Sequence, residues 1–280
     1  MIFDTPITFE EALRSQLVKD LFPTSLSSVE LAKLGPDILE RARFSARVTD
    51  YRILDEMDRL LNRLIEPTVI VDKATGLRRA AQAGESVDPS LFRTEMKGFL
   101  DSIGYEPDAG KRGTIQDLSS DRRLNLIADT NTKMAHGYGN WTQGQTSAIL
   151  DEFPAQELIR SGSRMVPRDW PRRWAEAGGE FFNGRMIARK DSPIWSAISR
   201  FGTPYPPFDY NSGMDLADID RDEAVEFGIV SASEQVPTQS RPFNETLGIT
   251  QPKEQSSLLD GLLDQLGDSV ELVDGRLQVA

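Results

Sequence analysis

The stretch from Gly184 to Met214, with the sequence GRMIARKDSPIWSAISRFGTPYPPFDYNSGM, constrains the fold of this chain more than any other stretch. Asn183-Gly184 at its start is a two-residue hairpin signal, because both residues tolerate positive φ angles. Asp191 or Ser192 would then cap a short helix, and Pro193 would occupy its first turn, where no backbone N–H is needed. We therefore predict a small β-ribbon that leads directly into a short helix.

A proline-rich run follows this helix. The helix would end at Gly202 and bury one face, which consists of Trp195, Ile198 and Phe201. Aromatic residues then lie between prolines before a turn at Asn211-Ser212-Gly213, in the order Pro204, Tyr205, Pro206, Pro207, Phe208 and Tyr210. We favour a buried loop that joins two layers of a domain, because the aromatic residues can cover the prolines themselves. The alternative is a polyproline II peptide that binds an aromatic groove of a partner.

Two residue types are scarce enough to exclude classes of site. The 280-residue chain has no cysteine, which excludes disulfides and cysteine-based metal or nucleophile sites. It has one histidine, His136, which any Ser-His-Asp triad would have to use and which has no partner for a histidine metal site. We expect His136 near a helix end, interacting with the last carbonyls. The prediction is no catalytic residue, no metal and no cofactor, with an all-carboxylate site among the 44 acidic residues as the open alternative.

The sequence gives no indication of a membrane segment. The N-terminus lacks the basic and apolar pattern of a signal peptide, and no apolar run approaches the roughly 20 residues of a membrane-spanning helix. We therefore expect a soluble protein, made in the cytoplasm, with no membrane partner.

The charges are distributed unevenly along the chain. The formal net charge is -12, yet residues 160–200 contain nine basic and four acidic residues, whereas residues 209–280 contain four basic and fifteen acidic ones. A general nucleic-acid binder would be basic overall. We expect the basic segment to pair with the acidic tail or with an acidic partner, and the alternative is local phosphate contact through Arg168, Arg172 and Arg173.

Two tryptophans, Trp170 and Trp174, lie four residues apart among these arginines. Such residues are usually core anchors beside arginine side chains, which is the interpretation that we favour. The alternative is that they stack on nucleic-acid bases.

The N-terminal region is predicted to be helical, with a short helix from Thr8 to about Leu17, a helical turn at residues 28–34 and one long helix. From Asp37 to Glu66 there is no Gly or Pro, which predicts a helix of about 30 residues and roughly 45 Å. Its apolar stripe consists of Ile53, Met57, Leu60, Leu61, Leu64 and Ile65, continued on a rotated face by Phe44, Val48 and Tyr51. Residues 69–71 would form a short strand or an extended connector, and residues 72–87 a loop.

Two more helices are expected after this loop. The first begins at Asp88-Pro89 and ends at Gly104. The second is capped by Ser119 or Ser120 and runs from about residue 121 to 138, with the amide of Asn131 inside its apolar face. A buried amide must be hydrogen-bonded, so we expect Asn131 to bond a loop backbone, with contact to a bound partner or ligand as the alternative. Short helical turns are expected at residues 146–153, 155–161 and 221–227.

The C-terminal part is predicted to be a docking module on a tether. Residues 231–256 are poor in apolar residues and typical of a linker. Residues 257–280 would form an amphipathic helix and a hairpin around Asp274-Gly275. A two-stranded hairpin needs a surface that covers it, so the expected docking residues are Leu262, Leu266, Val270, Leu272, Leu277 and Val279.

These elements predict an α+β fold that is predominantly helical, with a small lobe containing a β-hairpin and a tethered C-terminal helix–hairpin. The predicted parts are a helical region at 1–87, a core domain at 88–230, a linker at 231–256 and the docking module at 257–280.

Three segments carry a family resemblance. The first is the helix RRLNLIADTN, Arg122 to Asn131, which continues to Gly139. The second is GRMI followed by KDSPIW, which ends at Trp195, and the third is YPPF, which contains Pro206 and Pro207. Together they resemble the Mu F-like minor head proteins of tailed bacteriophages, also called phage head morphogenesis proteins, over about residues 90–230. Many members have a cysteine-containing segment after the two prolines, where this chain has Asn211-Ser212-Gly213-Met214.

The resemblance implies a protein that enters the particle in few copies during capsid assembly. It implies the portal protein and capsid proteins as partners, a virion location at the portal vertex or capsid interior, and the host cytoplasm during assembly. Packaged double-stranded DNA and a homo-oligomer are further alternatives as partners. It implies no catalysis, and Asn131, Trp195, Pro206 and Pro207 would form the structural core of the motif.

Two other functions stay open at this point. One is a DNA-binding accessory or an internal protein that is ejected with the DNA. The other is an enzyme or effector that uses carboxylates, because Mu F-like domains also occur joined to effector or toxin domains. The chain has no G-x-G-x-x-G, P-loop or G-x-S-x-G motif, which makes the enzyme the less favoured alternative.

Overall fold

The computed structural model of the chain has an α+β fold, as the sequence predicts. It describes residues 19–31, 42–65, 69–71, 78–80, 89–163, 165, 167–240, 270–273 and 276–279. The chain divides into two compact units, Met1–His136 with Phe243–Ala280, and Gly137–Pro242. The predicted boundary at 87/88 does not separate them, because helices from both sides of it share one core.

The core of the first unit is built on three helices: α2 at Tyr51–Ile65, α3 at Pro89–Ser102 and the first part of α4 at Asp121–Gln143. Its buried side chains come from one face of each helix, as an amphipathic pattern requires. They include Leu54, Met57, Leu61, Phe92, Met96, Leu100 and Leu124. Ion pairs join the helices on the outside, with 2.7 Å between Arg63 and Glu95 and 2.8 Å between Lys97 and Asp121. These pairs are solvent-exposed, so they contribute little to stability.

The long helix predicted from Asp37 to Glu66 is wrong over residues 42–50. Ala42–Arg43 is strand β2, and it pairs in parallel with strand β1, Asp20–Leu21. Arg47 has a φ of 61°, which an α-helix does not allow. A non-local strand pairing therefore prevails over the helical propensity of this segment.

Helix α2 begins after Asp50, which caps it. The backbone N–H of Arg52 donates to the Asp50 carboxylate at 3.0 Å, and that of Ile53 donates to the Asp50 carbonyl at 3.1 Å. Tyr51 was predicted to continue the apolar stripe of this helix toward Val48, and this is wrong because Tyr51 is 38% exposed. The main stripe is confirmed, since every member is buried: Ile53, Met57, Leu60, Leu61, Leu64 and Ile65.

Short elements flank this core. Helix α1 at Ser28–Leu31 is the predicted helical turn, and Ser27 caps it. Residues Val69–Val71 form a strand, β3, which is the first of the two predicted alternatives. Strand β4 at Arg78–Ala80 pairs antiparallel with it, so the predicted loop at 72–87 contains a strand. The N-terminal helix expected near Thr8 lies outside the described residues.

The predicted end of helix α3 and the predicted start of helix α4 are confirmed, whereas the predicted end of α4 is wrong. Helix α3 ends as expected at Gly104, which has a φ of 71° while Tyr105 N–H donates to the Leu100 carbonyl. Ser120 caps α4, because its hydroxyl accepts from the N–H of Arg123 at 3.2 Å. Helix α4 continues to Gln143 instead of ending near residue 138.

The second unit contains a four-stranded antiparallel sheet. Its order is β6-β7-β5-β8, with β6 at Phe181–Phe182, β7 at Arg185–Arg189, β5 at Ala155–Arg160 and β8 at Met214–Ile219. The prediction of a helical turn at 155–161 is wrong. Strand β5 pairs with β7 on one side and β8 on the other, and this pairing outweighs a sequence, AQELIR, rich in good helix formers.

Each face of this sheet carries its own core. Leu158 of β5 lies on the face that packs against Trp170, Trp174, Trp195 and Phe208. Ala155 lies on the opposite face, with Leu150, Ile187, Ile219, Ala224, Val230 and Val236. The alternation along β5 follows from the two-residue period of a strand.

Four short helices surround the sheet: α5 at Ser147–Glu152, α6 at Trp170–Glu176, α7 at Ile194–Ala197 and α8 at Arg221–Glu226. Helices α5, α7 and α8 were expected from the sequence, but α7 ends at Ala197 instead of near Gly202, and its N-cap is Pro193 instead of Asp191 or Ser192. Asp220 caps α8 by accepting from Glu223 N–H at 2.8 Å, and the helix ends at Gly228 with a φ of 69°.

The C-terminal hairpin has the predicted register. Strands β9 at Val270–Val273 and β10 at Arg276–Val279 pair antiparallel, with Leu272 opposite Leu277 and Val270 opposite Val279. The expected amphipathic helix, with Leu262 and Leu266, lies outside the described residues, as do residues 241–256 of the expected linker. Residues 231–240 are described, and they correct the linker prediction because they pack on the second unit.

Candidate functional site

The stretch from Gly184 to Met214 forms the centre of the second unit. Asn183 and Gly184 have φ angles of 50° and 81°, and they join β6 to β7 as a two-residue turn. Helix α7 follows β7 directly. Trp195 on this helix is fully buried, and its indole N–H donates to the Arg189 carbonyl at 2.7 Å. This hydrogen bond fixes α7 against the end of β7.

Trp195 belongs to an aromatic cluster with Trp170, Trp174 and Phe208. The ring centroids of Trp174 and Trp195 are 5.3 Å apart, and those of Trp195 and Phe208 are 6.4 Å apart. Both tryptophans of helix α6 are buried, with 1% of Trp170 and none of Trp174 exposed. The core-anchor interpretation is confirmed, and base stacking is wrong for these side chains because they have no face in solvent.

The proline-rich run is a buried loop, which confirms the favoured interpretation. Tyr205 is 2% exposed, Phe208 is fully buried, and Pro207 is buried while Pro206 is partly so. The alternative of a polyproline II peptide presented to a partner is wrong, because the apolar faces of this loop are already covered. The turn predicted at residues 211–213 is confirmed, with positive φ at Asn211 and Gly213.

Helix α4 holds this loop through a glycine. A Cβ atom on Gly137 would lie 1.9 Å from the Pro206 carbonyl oxygen and 3.2 Å from the Tyr205 ring. Tyr205 also packs edge-on against Tyr138 at a centroid distance of 5.8 Å. Only a glycine allows the helix backbone to approach the loop this closely.

Asn131 lies in the part of α4 that belongs to the first unit. Its Nδ2 donates to the Ile127 carbonyl at 2.9 Å, and its Oδ1 accepts from the guanidinium of Arg43. Arg43 is 1% exposed and also donates to Asp58 at 2.7 Å. The amide is hydrogen-bonded as expected, but its partner on the far side is an arginine side chain instead of a loop backbone.

This buried arginine was not found from the sequence. Burial lowers the pKa of Arg43, while the Asp58 carboxylate beside it acts in the opposite direction. Arg43 thereby links β2 to both α2 and α4, which makes it a structural anchor of the first unit. An arginine in a segment with helical propensity gives no signal of this role.

The three arginines proposed for phosphate contact all have acidic partners. Arg168 and Arg173 lie 3.3 and 3.0 Å from the Asp209 carboxylate, which is itself buried. Arg172 pairs with Glu176 on the same helix at 2.8 Å, and both side chains are exposed. The structure therefore brings Arg168 and Arg173 together around one carboxylate and leaves Arg172 on the surface.

The expected pairing between the basic segment and the acidic tail is confirmed for the described residues. Arg185 binds Glu157 and Glu223, and the hydrogen bonds with these carboxylates raise its pKa. Arg189 binds Asp191 and Glu234. Lys190, which is 5% exposed, binds Asp218 at 2.7 Å. These pairs neutralise much of the local charge within the second unit.

His136 lies inside helix α4, seven residues before its last residue, so the expectation of a helix end is wrong. Burial lowers the pKa of His136. In the ranges described, no three acidic or histidine side chains converge as ligands of a metal ion. Likewise, none of the described helices is long and apolar enough to cross a membrane.

Comparison of the chain with protein-family models, with curated proteins and with solved structures finds no match in any of the three.

Proposed function

We propose that the protein is a minor head protein of the Mu F-like type, which binds the portal protein and the capsid interior while a phage particle assembles. The resemblance in three sequence segments is the starting point. The structural observation that supports the proposal is the contact between two of these segments. Helix α4, which bears the RRLNLIADTN segment, reaches the YPPF loop through Gly137 and Pro206.

The chemistry of the described residues supports a binding role over a catalytic one. The motif residues Trp195 and Pro207 are buried in the second unit, where they can hold backbone in place but cannot reach a substrate. The acidic side chains nearby are engaged with arginine and lysine. Such an arrangement stabilises a scaffold, which is what a structural component of a particle requires.

The experiment is quantitative mass spectrometry of purified particles from the source strain, with portal peptides as the internal standard. The expected result is a few copies of this chain for each portal ring. A matched preparation from a strain that lacks the gene measures the background. Absence from both mature particles and assembly intermediates would overturn the proposal.

A second experiment addresses the portal directly. Tagged portal protein is expressed with the wild-type chain or with Trp195→Ala, which removes the centre of the aromatic cluster. We expect the wild-type chain to co-purify with the portal and the variant to be lost. Equal recovery of a folded variant would show that the motif residues play no part in portal binding.

Contact with DNA is an accessory function that one observation favours. Arg172 is exposed, and its ion pair with Glu176 is the kind of surface pair that a phosphate can replace at little cost. The net charge of -12 restricts this contact to low affinity that falls steeply with salt.

A further inference from the structure

The segment 231–240, called the strap here, binds the second unit although its sequence is typical of a linker. Only one of its ten residues is buried, which is Val236 at 6% exposed. Glu234 and Gln239 are partly buried, and the other seven are exposed. The strap has no helix and no strand. Three of its side chains, together with two backbone contacts, hold it in position.

Each of these three side chains has a defined partner. Val236 packs in the core on the α8 side of the sheet, which also contains Leu150 and Ile187. The Glu234 carboxylate binds the Arg189 guanidinium. The side-chain amide of Gln239 donates to the Asp191 carbonyl at 3.2 Å.

Two backbone contacts complete the binding surface. The guanidinium of Arg221 donates to the Glu234 carbonyl at 2.9 Å. The backbone N–H of Gln239 donates to the Gln145 side chain at 3.0 Å. We call the surface formed by Arg189, Arg221, Gln145 and the apolar residues around Val236 the strap groove.

The strap contributes little to the surface that it covers. Six of the seven buried residues on this side of the sheet come from the sheet strands, from α5 and α8, or from Val230 next to α8, and only Val236 comes from the strap. The burial of one valine opposes the loss of backbone freedom of ten residues only in part. Detaching the strap therefore exposes a single buried apolar side chain, so we infer that local opening here costs less than unfolding the sheet.

We propose that the strap groove is a binding site for an extended peptide that carries one glutamate, with the strap as its intramolecular ligand and the strap of a second copy as its partner in an assembly. The recognised pattern is a glutamate, an apolar residue two positions later and an amide three positions after that. Charge complementarity supports this partner, because the Glu234 carboxylate pairs with Arg189, while Arg221 holds the Glu234 backbone carbonyl. Every copy carries both the groove and its ligand, so exchange of the strap joins copies without any new contact.

The first test vacates the groove in the full chain with Glu234→Ala and Val236→Ala together. A fluorescent peptide with the sequence of residues 231–240 is then titrated, and anisotropy reports its binding. We expect saturable binding to this strap variant and none to the wild-type chain, whose groove is filled. A peptide that carries the same two substitutions is the matched control, and it should bind at least about tenfold more weakly.

Circular dichroism of the strap variant decides whether the groove stands on its own. A folded variant that binds the peptide supports the proposal. A variant that unfolds, or that is folded and does not bind the peptide, overturns it.

The second test addresses the partner. The strap variant is mixed with a groove variant that carries Arg189→Ala and Arg221→Ala but an intact strap. Light scattering after gel filtration should show a dimer in the mixture and monomers in each separate sample. If the peptide binds and the mixture stays monomeric, the second copy is excluded as the partner.

Discussion

The Cα atom of Gly137 faces the carbonyl oxygen of Pro206 so closely that a Cβ atom would lie only 1.9 Å from it. A glycine in the middle of a 23-residue helix lowers helix stability, so its presence needs a compensating contact. Here that contact is the buried YPPF loop. Two of the three segments on which the proposed family assignment depends therefore meet at this pair of residues.

We predict that Gly137→Ala destabilises the protein by about 1–3 kcal/mol, because the added methyl group overlaps the Pro206 carbonyl and one backbone must move. Urea denaturation monitored by tryptophan fluorescence measures the loss. Gly98→Ala is the matched control, since it also adds one methyl group inside a helix but meets no atom within 4 Å.

The control variant Gly98→Ala should change the stability in the opposite direction. Gly98 lies in the interior of helix α3 and is exposed, so alanine there should stabilise the protein by about 0.5–1 kcal/mol. A destabilising Gly98→Ala together with a neutral Gly137→Ala would contradict the close contact between helix α4 and the loop.

The buried arginine of the first unit gives a second prediction. Arg43→Ala leaves the Asp58 carboxylate and the Asn131 amide without their shared partner, which should cost about 3–5 kcal/mol of unfolding free energy. Denaturant unfolding followed by far-ultraviolet circular dichroism measures this. Arg63→Ala is the comparison, because its pair with Glu95 is exposed and its loss should stay within about 0.5 kcal/mol.

The two neighbouring arginines of helix α6 should behave differently. Arg173→Ala removes one of the two cations beside the buried Asp209 and should destabilise the protein, whereas Arg172→Ala should leave unfolding unchanged.

If DNA is contacted, Arg172→Ala lowers the slope of log Kd against log salt by about 0.9. Fluorescence anisotropy with a short duplex at several salt concentrations measures the slope. An unchanged slope would remove Arg172 from the DNA-contact hypothesis.

The sequence predicts those parts of the fold that local signals decide. Asn183-Gly184, the cap at Asp220 and the hairpin register around Leu272 and Leu277 are all confirmed. Each depends on two to four adjacent residues, or on the alternation of apolar side chains in a strand. The burial of Trp170 and Trp174 is also confirmed, and it follows from their spacing of four residues on one face of helix α6.

The parts that fail depend on distant residues. The strand at Ala155–Arg160 has the composition of a helix, and it is a strand because β7 and β8 pair with its two edges. Ala42–Arg43 leaves the predicted long helix because it pairs with Asp20–Leu21. The strap has the composition of a free linker, and three side chains bind it to a surface that is assembled from five other elements. No local pattern contains this information.

The only histidine of the chain gives a prediction about pH. Burial lowers the pKa of His136 below the value of about 6.5 that it has in the unfolded chain. The unfolded chain therefore binds the proton more tightly than the folded one. This contribution to stability is fully present above pH ~6.5 and is lost as the pH falls toward the folded pKa.

His136→Gln should remove the part of the pH dependence that lies between neutral pH and the titration of the carboxylates. Urea unfolding of both proteins at a series of pH values measures the difference, and the single imidazole resonance in the NMR spectrum reports the folded pKa directly. A folded pKa above that of the unfolded chain, or equal slopes for both proteins in this range, would show that burial does not govern this group.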